Sequence, residues 1–291
     1  MHWVVTGAHG MLGRDVVQRV ALAGEGVVAL AREDLDVTDP EAAHRLLVGA
    51  EVVVSCAAYT AVDAAETDEP AAFTVNAVGA ANVARAAAAV GARMVHVSTD
   101  YVFDGAAAEP YDEEAPVAPR SAYGRTKAAG EWAVRAAHPG HMVVRTAWLY
   151  GAGGPCFPKT IARVAAERGG LDVVDDQVGQ PTWTRDLADL VVRLVEADAP
   201  GGTYHGTSSG RTSWHGFARA VVGSAGLDPA IVAPTTSEAF VRPAPRPAFS
   251  VLGHAALERI GVAPIGAWDE RWAAAADEVL GQRPSASSPS R

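Results

Sequence analysis

The first segment of the chain, HWVVTGAHGMLG from His2 to Gly13, decides the fold. Apolar and β-branched residues up to Thr6 predict a buried strand, and three glycines follow it at GxxGxxG spacing. Small residues let the backbone turn sharply towards a pyrophosphate, and the next helix offers it free N–H groups and a partial positive charge. An ordinary strand-to-helix turn is the alternative, but the position of the loop favours dinucleotide binding. The predicted cofactor contacts of this loop are Gly7, His9, Gly10, Met11 and Leu12.

Beyond this loop, short β-branched runs alternate with longer Ala-rich stretches, which is typical of βα units around a buried parallel sheet. We therefore predict an α/β fold with a doubly wound parallel Rossmann sheet, right-handed crossovers and a smaller α+β substrate domain. The predicted strands are His2 to Thr6, Val27 to Leu30, Val52 to Ser55, Met94 to Ser98 and Met142 to Thr146. The predicted helices are Met11 to Leu22, Pro40 to Val48, Pro70 to Val90 and Ser121 to Ala137.

The alternation of β-branched runs and Ala-rich stretches weakens after Tyr150, where a Gly-rich loop indicates a domain boundary. We expect a dinucleotide-binding domain over 1–150 and a smaller, discontinuous substrate domain over 151–280. Within the second part, about 171–205 is a candidate for returning to the first domain, with a strand, a loop and a helix capped near Thr184. The Ser- and Pro-rich segment 281–291 predicts a disordered tail.

Composition excludes several classes of function. The 291 residues are 49% hydrophobic and 20% charged, with a net charge of −10, which argues against nucleic-acid partners and attraction to an anionic membrane. No apolar stretch reaches bilayer length, and the N-terminus leaves no room for a signal peptide. Cys56 and Cys156 lack the spacing of a zinc site or disulfide framework, so we expect reduced thiols and a cytoplasmic location.

The second strand bears on the choice of dinucleotide. Arg32 follows that strand, where a dinucleotide fold reads the adenosine ribose, and a guanidinium pairs with the 2′-phosphate of NADP. We therefore predict NADPH. Alternatively, Arg32 is solvated and Asp36 takes the ribose side, which leaves NADH open. Asp36 and Val37 are the other predicted contacts at this end.

A tyrosine and a lysine supply the predicted acid–base chemistry. Tyr123 and Lys127 stand four residues apart, so a helix puts them on one face, where the ammonium is expected to lower the pKa of the phenol. Ser98 and Thr99 end the fourth strand, at the edge where α/β sheets form their ligand crevice. Each piece alone is common by chance, but their order after a cofactor loop indicates proton transfer to a carbonyl oxygen.

Taken together, these segments resemble an extended short-chain dehydrogenase/reductase, and more closely the dTDP-4-dehydrorhamnose reductases. The resemblance covers roughly residues 1–252. Its segments are Val5 to Gly13, Cys56 to Asp63, Val75 to Ala77, Ser98 to Gly105, Tyr123 to Lys127, Arg145 to Gly151 and Asp175 to Thr182.

The resemblance implies NADPH-dependent reduction of the C4 ketone of a dTDP-4-keto-6-deoxy-L-hexose, with dTDP-4-dehydro-L-rhamnose reduced to dTDP-L-rhamnose. The implied catalytic trio is Thr99, Tyr123 and Lys127. Tyr123 would give a proton to the ketone oxygen, Lys127 would hold the nicotinamide ribose and Thr99 would orient the ketone.

The resemblance also implies further contacts. Those with the cofactor are Ala57, Ala58, Tyr59, Asn76, Tyr123 and Lys127; those with the substrate are Thr99, Asp100, Tyr101, Val102, Trp148, Lys159, Gln180 and Arg246. Packing is the alternative for Ala57, Ala58 and Trp148, and a helix hydrogen bond is the alternative for Asn76. Prolines around Arg242 and Arg246 suggest a stiff basic loop for a diphosphate, whereas a solvated loop is the alternative.

Several questions stay open at this level. Departures from the family pattern at Cys156, Pro158, Phe249 and Gly253 lie on the substrate side, so a related sugar such as a dihydrostreptose precursor is an alternative substrate. A nucleotide-sugar epimerase or dehydratase and a non-catalytic NADP-binding regulatory subunit are the rival functions. Some members of the family pair as homodimers, sometimes with Mg²⁺, but no carboxylate spacing here locates a metal.

Overall fold

A computed structural model describes residues 1–281, so the predicted tail lies outside the described residues except for Gly281. The strands β1–β14 are, in chain order, His2–Thr6, Gly26–Leu30, Val52–Ser55, Arg93–Thr99, Met142–Thr146, Leu149–Tyr150, Leu171–Val174, Val178–Gly179, Thr182–Trp183, Gly202–His205, Ser208–Ser209, Thr212–Ser213, Val232–Thr235 and Ile265–Ala267. The helices α1–α11 are Met11–Leu22, Pro40–Leu46, Val62–Ala65, Glu69–Phe73, Ala80–Ala89, Ala122–Ala137, Phe157–Arg168, Thr184–Glu196, Trp214–Ser224, Ala255–Arg259 and Trp268–Leu280.

The central feature is a six-stranded sheet with the order β10-β5-β4-β3-β1-β2, in which every pairing is parallel. The predicted doubly wound α/β class is therefore confirmed. The chain order reverses between β1 and β3, and such sheets bind ligands at the carboxyl ends of the strands near this point. Five of the six strands were predicted. The sixth, β10, escaped prediction because its GTYH sequence lacks an apolar run.

Alternate strand residues build the two faces of the core. Val5 and Val95 point to the face covered by α1 and α8, whereas Val4 and Met94 point to the face covered by α2, α5 and α6. All four side chains are at most 1% exposed. Burying each of them contributes about 1.5–3 kcal/mol, so the sheet is a rigid platform for its carboxyl edge.

Apart from shifts of one or two residues at helix ends, two of the helix predictions differ from the structure. The predicted helix from Pro70 to Val90 is interrupted by a π-helical segment, Thr74–Gly79, which periodicity alone does not reveal. The helix predicted to be capped near Thr184 does begin at Thr184, but its N-cap residue is Trp183, which makes no side-chain cap hydrogen bond, and the Thr184 hydroxyl donates to the carbonyl of Tyr150 at 3.2 Å.

The second half of the chain divides its residues between two cores. Strand β10 pairs with β5, and α8 packs with α1 beside the sheet, whereas Phe217, Trp272 and Tyr150 belong to a separate apolar cluster. On this basis we propose a first domain over 1–150 joined by the return segment within 171–205, and a smaller discontinuous domain formed by the rest of 151–280. No helix within residues 1–281 is long and apolar enough to cross a bilayer.

Candidate active site

The loop between β1 and α1 is built for close approach of a ligand. Gly7 has a positive φ of 67°, and a Cβ there would lie 2.7 Å from the backbone nitrogen of Ala57. A Cβ at Gly13 would lie 2.3 Å from the carbonyl oxygen of Gly7. Gly10 is the N-cap of α1, and no side chain caps this end of the helix. The uncapped amides and the lack of side chains fit a dinucleotide pyrophosphate.

The residues predicted at the adenosine end lie together at the surface. His9 and Arg32 are exposed, and His9 Nδ1 lies 3.1 Å from the Glu33 carboxylate. Asp36 accepts hydrogen bonds from the backbone nitrogen and the hydroxyl of Thr38, which lower the pKa of Asp36, and the Arg32 charge acts in the same direction. Arg32 is therefore accessible to a phosphate, while Asp36 is already engaged by its own turn.

Two predicted cofactor residues point into the core instead of outward. Leu12 and Val37 are each 7% exposed and belong to the two apolar faces of the sheet. A Cβ at Gly79 would lie 2.7 Å from a Val37 methyl group, so Val37 packs on the π-helical segment. The two side chains therefore pack in the core, and contact of either residue with a cofactor stays a prediction.

The segment after β3 is held in place by Asn76. The Asn76 amide accepts from the backbone nitrogen of Tyr59 at 2.8 Å and donates to the Tyr59 carbonyl at 3.1 Å and to the Thr126 hydroxyl at 3.0 Å. Its side chain is thus fully engaged. Ala57, Ala58 and Tyr59 are half-buried, and Ala57 lies beside Gly7. Their contact with a cofactor stays a prediction.

Thr99 and Tyr123 meet where β4 ends and α6 begins. Ser121 caps α6 by accepting from the backbone nitrogen of Gly124, and a Cβ at Gly124 would lie only 2.2 Å from the Tyr101 carbonyl oxygen. This glycine lets the helix approach the strand end. The Tyr123 ring packs edge-on against that of Tyr101, with centroids 5.7 Å apart.

The pKa of Tyr123 is shifted in the direction opposite to the predicted one. Burial and the charge of Asp100 raise the pKa of Tyr123 to about 12, while the Thr99 hydroxyl acts in the opposite direction. The expected net lowering of the Tyr123 pKa is therefore wrong. Lys127 is buried one turn along α6, and its ammonium donates to the Val97 carbonyl at 2.7 Å. Burial lowers the pKa of Lys127 to about 8, whereas the Glu131 charge raises it.

A buried ionic network that sequence reasoning missed supports these residues. Arg145 forms two hydrogen bonds of 2.8 Å with Glu131, which also accepts from the Ser98 hydroxyl at 2.6 Å. Glu131 is completely buried and Arg145 is 2% exposed. Because buried charges need partners, an arginine inside an apolar strand was the available signal. The network ties α6 to β4 next to Thr99.

The predicted substrate residues Asp100 and Tyr101 follow Thr99 directly. Asp100 is buried and accepts from the Thr99 hydroxyl at 2.9 Å, and burial raises the pKa of Asp100 to about 6. Tyr101 lines a small open cleft together with Arg246 and Arg120. Arg246 pairs with Asp63 at 2.9 Å, a partner that the sequence did not reveal.

Three other predicted substrate residues are engaged within the protein. Val102 is completely buried in an apolar cluster. Gln180 is 2% exposed; it donates to the Leu252 carbonyl and accepts from the Leu252 nitrogen and the Thr207 hydroxyl. Direct substrate contact by Val102 and Gln180 side chains stays a prediction, and the geometry favours a supporting role. Lys159 donates to the carbonyls of Ala152 and Gly154.

Trp148 belongs to an aromatic group at the same edge of the sheet. It lies two residues beyond Thr146, which is paired in register with Thr99. Trp148 has a positive φ of 48°, and its ring stacks on Trp214 with centroids 3.6 Å apart. Sequence reasoning missed Trp214, because the stack joins residues far apart in the chain.

Metal binding finds no support in the residues that the structure describes. Within 1–281, no group of three or more His, Cys, Asp or Glu side chains is arranged to hold an ion. The Mg²⁺ raised by the family resemblance is therefore not assigned to any residue.

A glycine loop after β1, together with Thr99, Tyr123 and Lys127 near the carboxyl end of β4 in a doubly wound sheet, is the pattern of the extended class of short-chain dehydrogenases/reductases. The family model described as RmlD substrate binding domain matches residues 1–280, and the chain belongs to this family.

Relatives and solved structures agree with this assignment. The chain is 48% identical over 288 residues to a probable dTDP-4,6-dihydroxy-2-methyloxan-3-one 4-ketoreductase of Streptomyces antibioticus, covering 96% of each chain. It is 47% identical over 273 residues to a dTDP-4-dehydrorhamnose reductase of Streptomyces griseus, covering 91% of this chain and 90% of the relative. The crystal structure of the Bacillus anthracis dTDP-4-dehydrorhamnose reductase in complex with NADP matches with a TM-score of 0.91 and 36% identity. The match covers 94% of this chain and 98% of the Bacillus anthracis chain.

Proposed function

We propose that this chain is an NADPH-dependent oxidoreductase that reduces the C4 ketone of a dTDP-4-keto-6-deoxy-L-hexose, with dTDP-4-dehydro-L-rhamnose as the substrate and dTDP-L-rhamnose as the product. The observation that carries the proposal is the meeting of Thr99 and Tyr123 at the carboxyl end of β4, in the same sheet whose first strand leads into the glycine loop. It is supported by relatives named as reductases of dTDP-4-keto sugars and by the NADP bound in the Bacillus anthracis protein.

The protonation state of Tyr123 suits a proton donor. When bound, NADPH supplies a hydride to the ketone carbon. Because the pKa of Tyr123 is raised to about 12, the phenol keeps its proton at neutral pH and can give it to the developing alkoxide. The Thr99 hydroxyl, which donates to Asp100 in this structure, would turn its single proton to the ketone oxygen and so orient it. Lys127, whose pKa is lowered to about 8, is mostly charged at neutral pH and holds the cofactor ribose.

Two basic side chains are assigned to the diphosphate groups. Arg246 lines the cleft next to Tyr101, and its pairing with Asp63 fixes the guanidinium there. Lys159 anchors the loop that packs on Met11 at the start of α1, because Gly153 and Gly154 lie against Met11. Because this loop packs on the start of α1, we assign Lys159 to a phosphate near the junction of the two domains.

A second candidate substrate is a related deoxysugar of antibiotic biosynthesis, such as a dihydrostreptose precursor. It is favoured by the 48% identity to a Streptomyces antibioticus ketoreductase named for a different sugar. The chemistry at C4 is the same, so the test must identify the product. The rival epimerase or dehydratase recycles its NAD and would show no net use of NADPH.

The test is NADPH oxidation by purified protein with dTDP-4-keto-6-deoxyglucose, with and without a 3,5-epimerase, followed by NMR of the product. We expect turnover that depends on the epimerase and yields dTDP-L-rhamnose. Tyr123→Phe is the matched variant: it keeps the ring and should lose about 100-fold or more in kcat while NADPH binding is preserved. Wild-type NADPH binding without turnover on any dTDP-4-keto sugar would contradict the proposal and favour a regulatory subunit.

A further inference from the structure

A histidine that the proposed chemistry does not use lies against Lys127. His96 is in the middle of β4 and 1% exposed, and its Nε2 is 3.3 Å from the Lys127 ammonium nitrogen. Its Nδ1 has no hydrogen-bond partner among the residues that the structure describes. A polar side chain in the centre of a buried parallel strand carries a desolvation cost. The contact of His96 with Lys127 therefore points to a role for the histidine.

The charge state of His96 follows from its surroundings. Burial and the charges of Lys127 and Arg135 hold the pKa of His96 well below its ordinary value, so the imidazole is neutral. A neutral imidazole that meets an ammonium accepts a hydrogen bond at Nε2 and carries its own proton on Nδ1. The other groups that face Lys127 are Glu131 on the same helix and Cys56 after β3. Burial raises the pKa of Cys56 to about 12, so its thiol is neutral as well.

These contacts account for two of the three ammonium protons. The Val97 carbonyl accepts one at 2.7 Å and His96 Nε2 accepts another, which leaves one N–H for a ligand. Resting on the proposed function, we propose that His96 is a positioning residue. Its neutral imidazole and the Val97 carbonyl fix the Lys127 ammonium so that the remaining N–H is presented to the hydroxyl groups of the cofactor ribose.

The proposal predicts what happens when the acceptor is lost. In His96→Leu and His96→Asn, no acceptor reaches the former Nε2 position, because the leucine has none and the asparagine amide is too short. The charged form of Lys127 then loses a hydrogen bond, and its pKa falls by roughly one further unit. In His96→Gln the longer amide oxygen reaches the Nε2 position, so the wild-type pKa is retained.

The chain offers an unusually clean readout, because Lys127 and Lys159 are its only lysines. Protein labelled with ¹³C at lysine Cε gives one signal for each, and Lys159 serves as an internal control. A pH titration by NMR should show Lys127, but not Lys159, titrating at lower pH in His96→Leu and His96→Asn. NADPH affinity, measured by fluorescence, should weaken in the same two variants and be kept in His96→Gln.

Unchanged titration of Lys127 in His96→Asn, or equal losses in His96→Asn and His96→Gln, would overturn the proposal. If His96→Leu does not fold, the Asn and Gln pair still decides it. The titration needs no sugar, so its outcome is separate from that of the proposed function. Failure of wild-type turnover refutes the reductase assignment, whereas an unchanged titration in an active enzyme refutes only the role of His96.

Discussion

Replacing Trp214 by leucine should weaken substrate binding while leaving the acid–base groups Tyr123 and Lys127 unchanged. Trp148 is held with a φ of 48°, a conformation that costs a residue with a side chain about 1–3 kcal/mol and needs support from its surroundings. Part of that support is the stack on Trp214, whose ring is nearly parallel at 3.6 Å and worth about 0.5–1.5 kcal/mol. If Trp148 packs on the sugar, losing the stack should raise KM about 2- to 12-fold.

The assay is steady-state kinetics on the dTDP-4-keto sugar, with the NADPH dissociation constant measured in parallel. Trp214→Phe should keep most of the stack and give a smaller rise in KM. Trp132→Leu is the matched control, because Trp132 is 60% exposed on the outer side of α6. A KM for Trp214→Leu equal to that of the Trp132→Leu control would refute the reasoning, as would a loss confined to NADPH binding.

Two further predictions concern Arg32, at the adenosine end of the cofactor, and Arg246, in the cleft for the dTDP-sugar. Arg32→Ala should weaken NADPH binding by about 1.5–3 kcal/mol, the value of a hydrogen bond to a charged group, and leave NADH binding unchanged. Fluorescence titration measures both affinities. Equal effects on the two cofactors would contradict the assignment of Arg32 to the 2′-phosphate. Arg246→Ala should raise the KM for the dTDP-sugar at least about tenfold with kcat largely kept, because the guanidinium that lines the cleft is lost. An unchanged KM would place Arg246 among the surface residues.

Five strands of the sheet were predictable from the sequence because each contains a short apolar run. Val4, Val53 and Val143 lie in runs that bury both faces, and such runs stand out against the Ala-rich helices between them. The π-helical segment Thr74–Gly79 was not predictable, because the apolar spacing continues through it. Its position depends on a tertiary contact: a Cβ at Gly130 would lie 2.2 Å from the Asn76 carbonyl oxygen, so the glycine admits this close crossing.

Candidate residues of the site could be named from local patterns, whereas the contacts between residues far apart in the chain could not. Tyr123 and Lys127 share a helix face whatever the fold, so their spacing identified them. The contact of Lys127 with His96 depends on how α6 crosses β4, and no local sequence pattern predicts that crossing. The same holds for the pairing of Arg246 with Asp63, which are separated by 183 positions. The pKa of Tyr123 likewise follows from burial, which the spacing of residues does not report.

Hydride transfer is the central claim, and isotope transfer tests it most directly. NADPH carrying deuterium at the reactive position of the nicotinamide is incubated with the enzyme, the epimerase and dTDP-4-keto-6-deoxyglucose, and the product is examined by NMR. The account predicts one deuterium at C4 of the sugar and equal amounts of NADP and product. A product without deuterium at C4, or no net oxidation of NADPH, would contradict it.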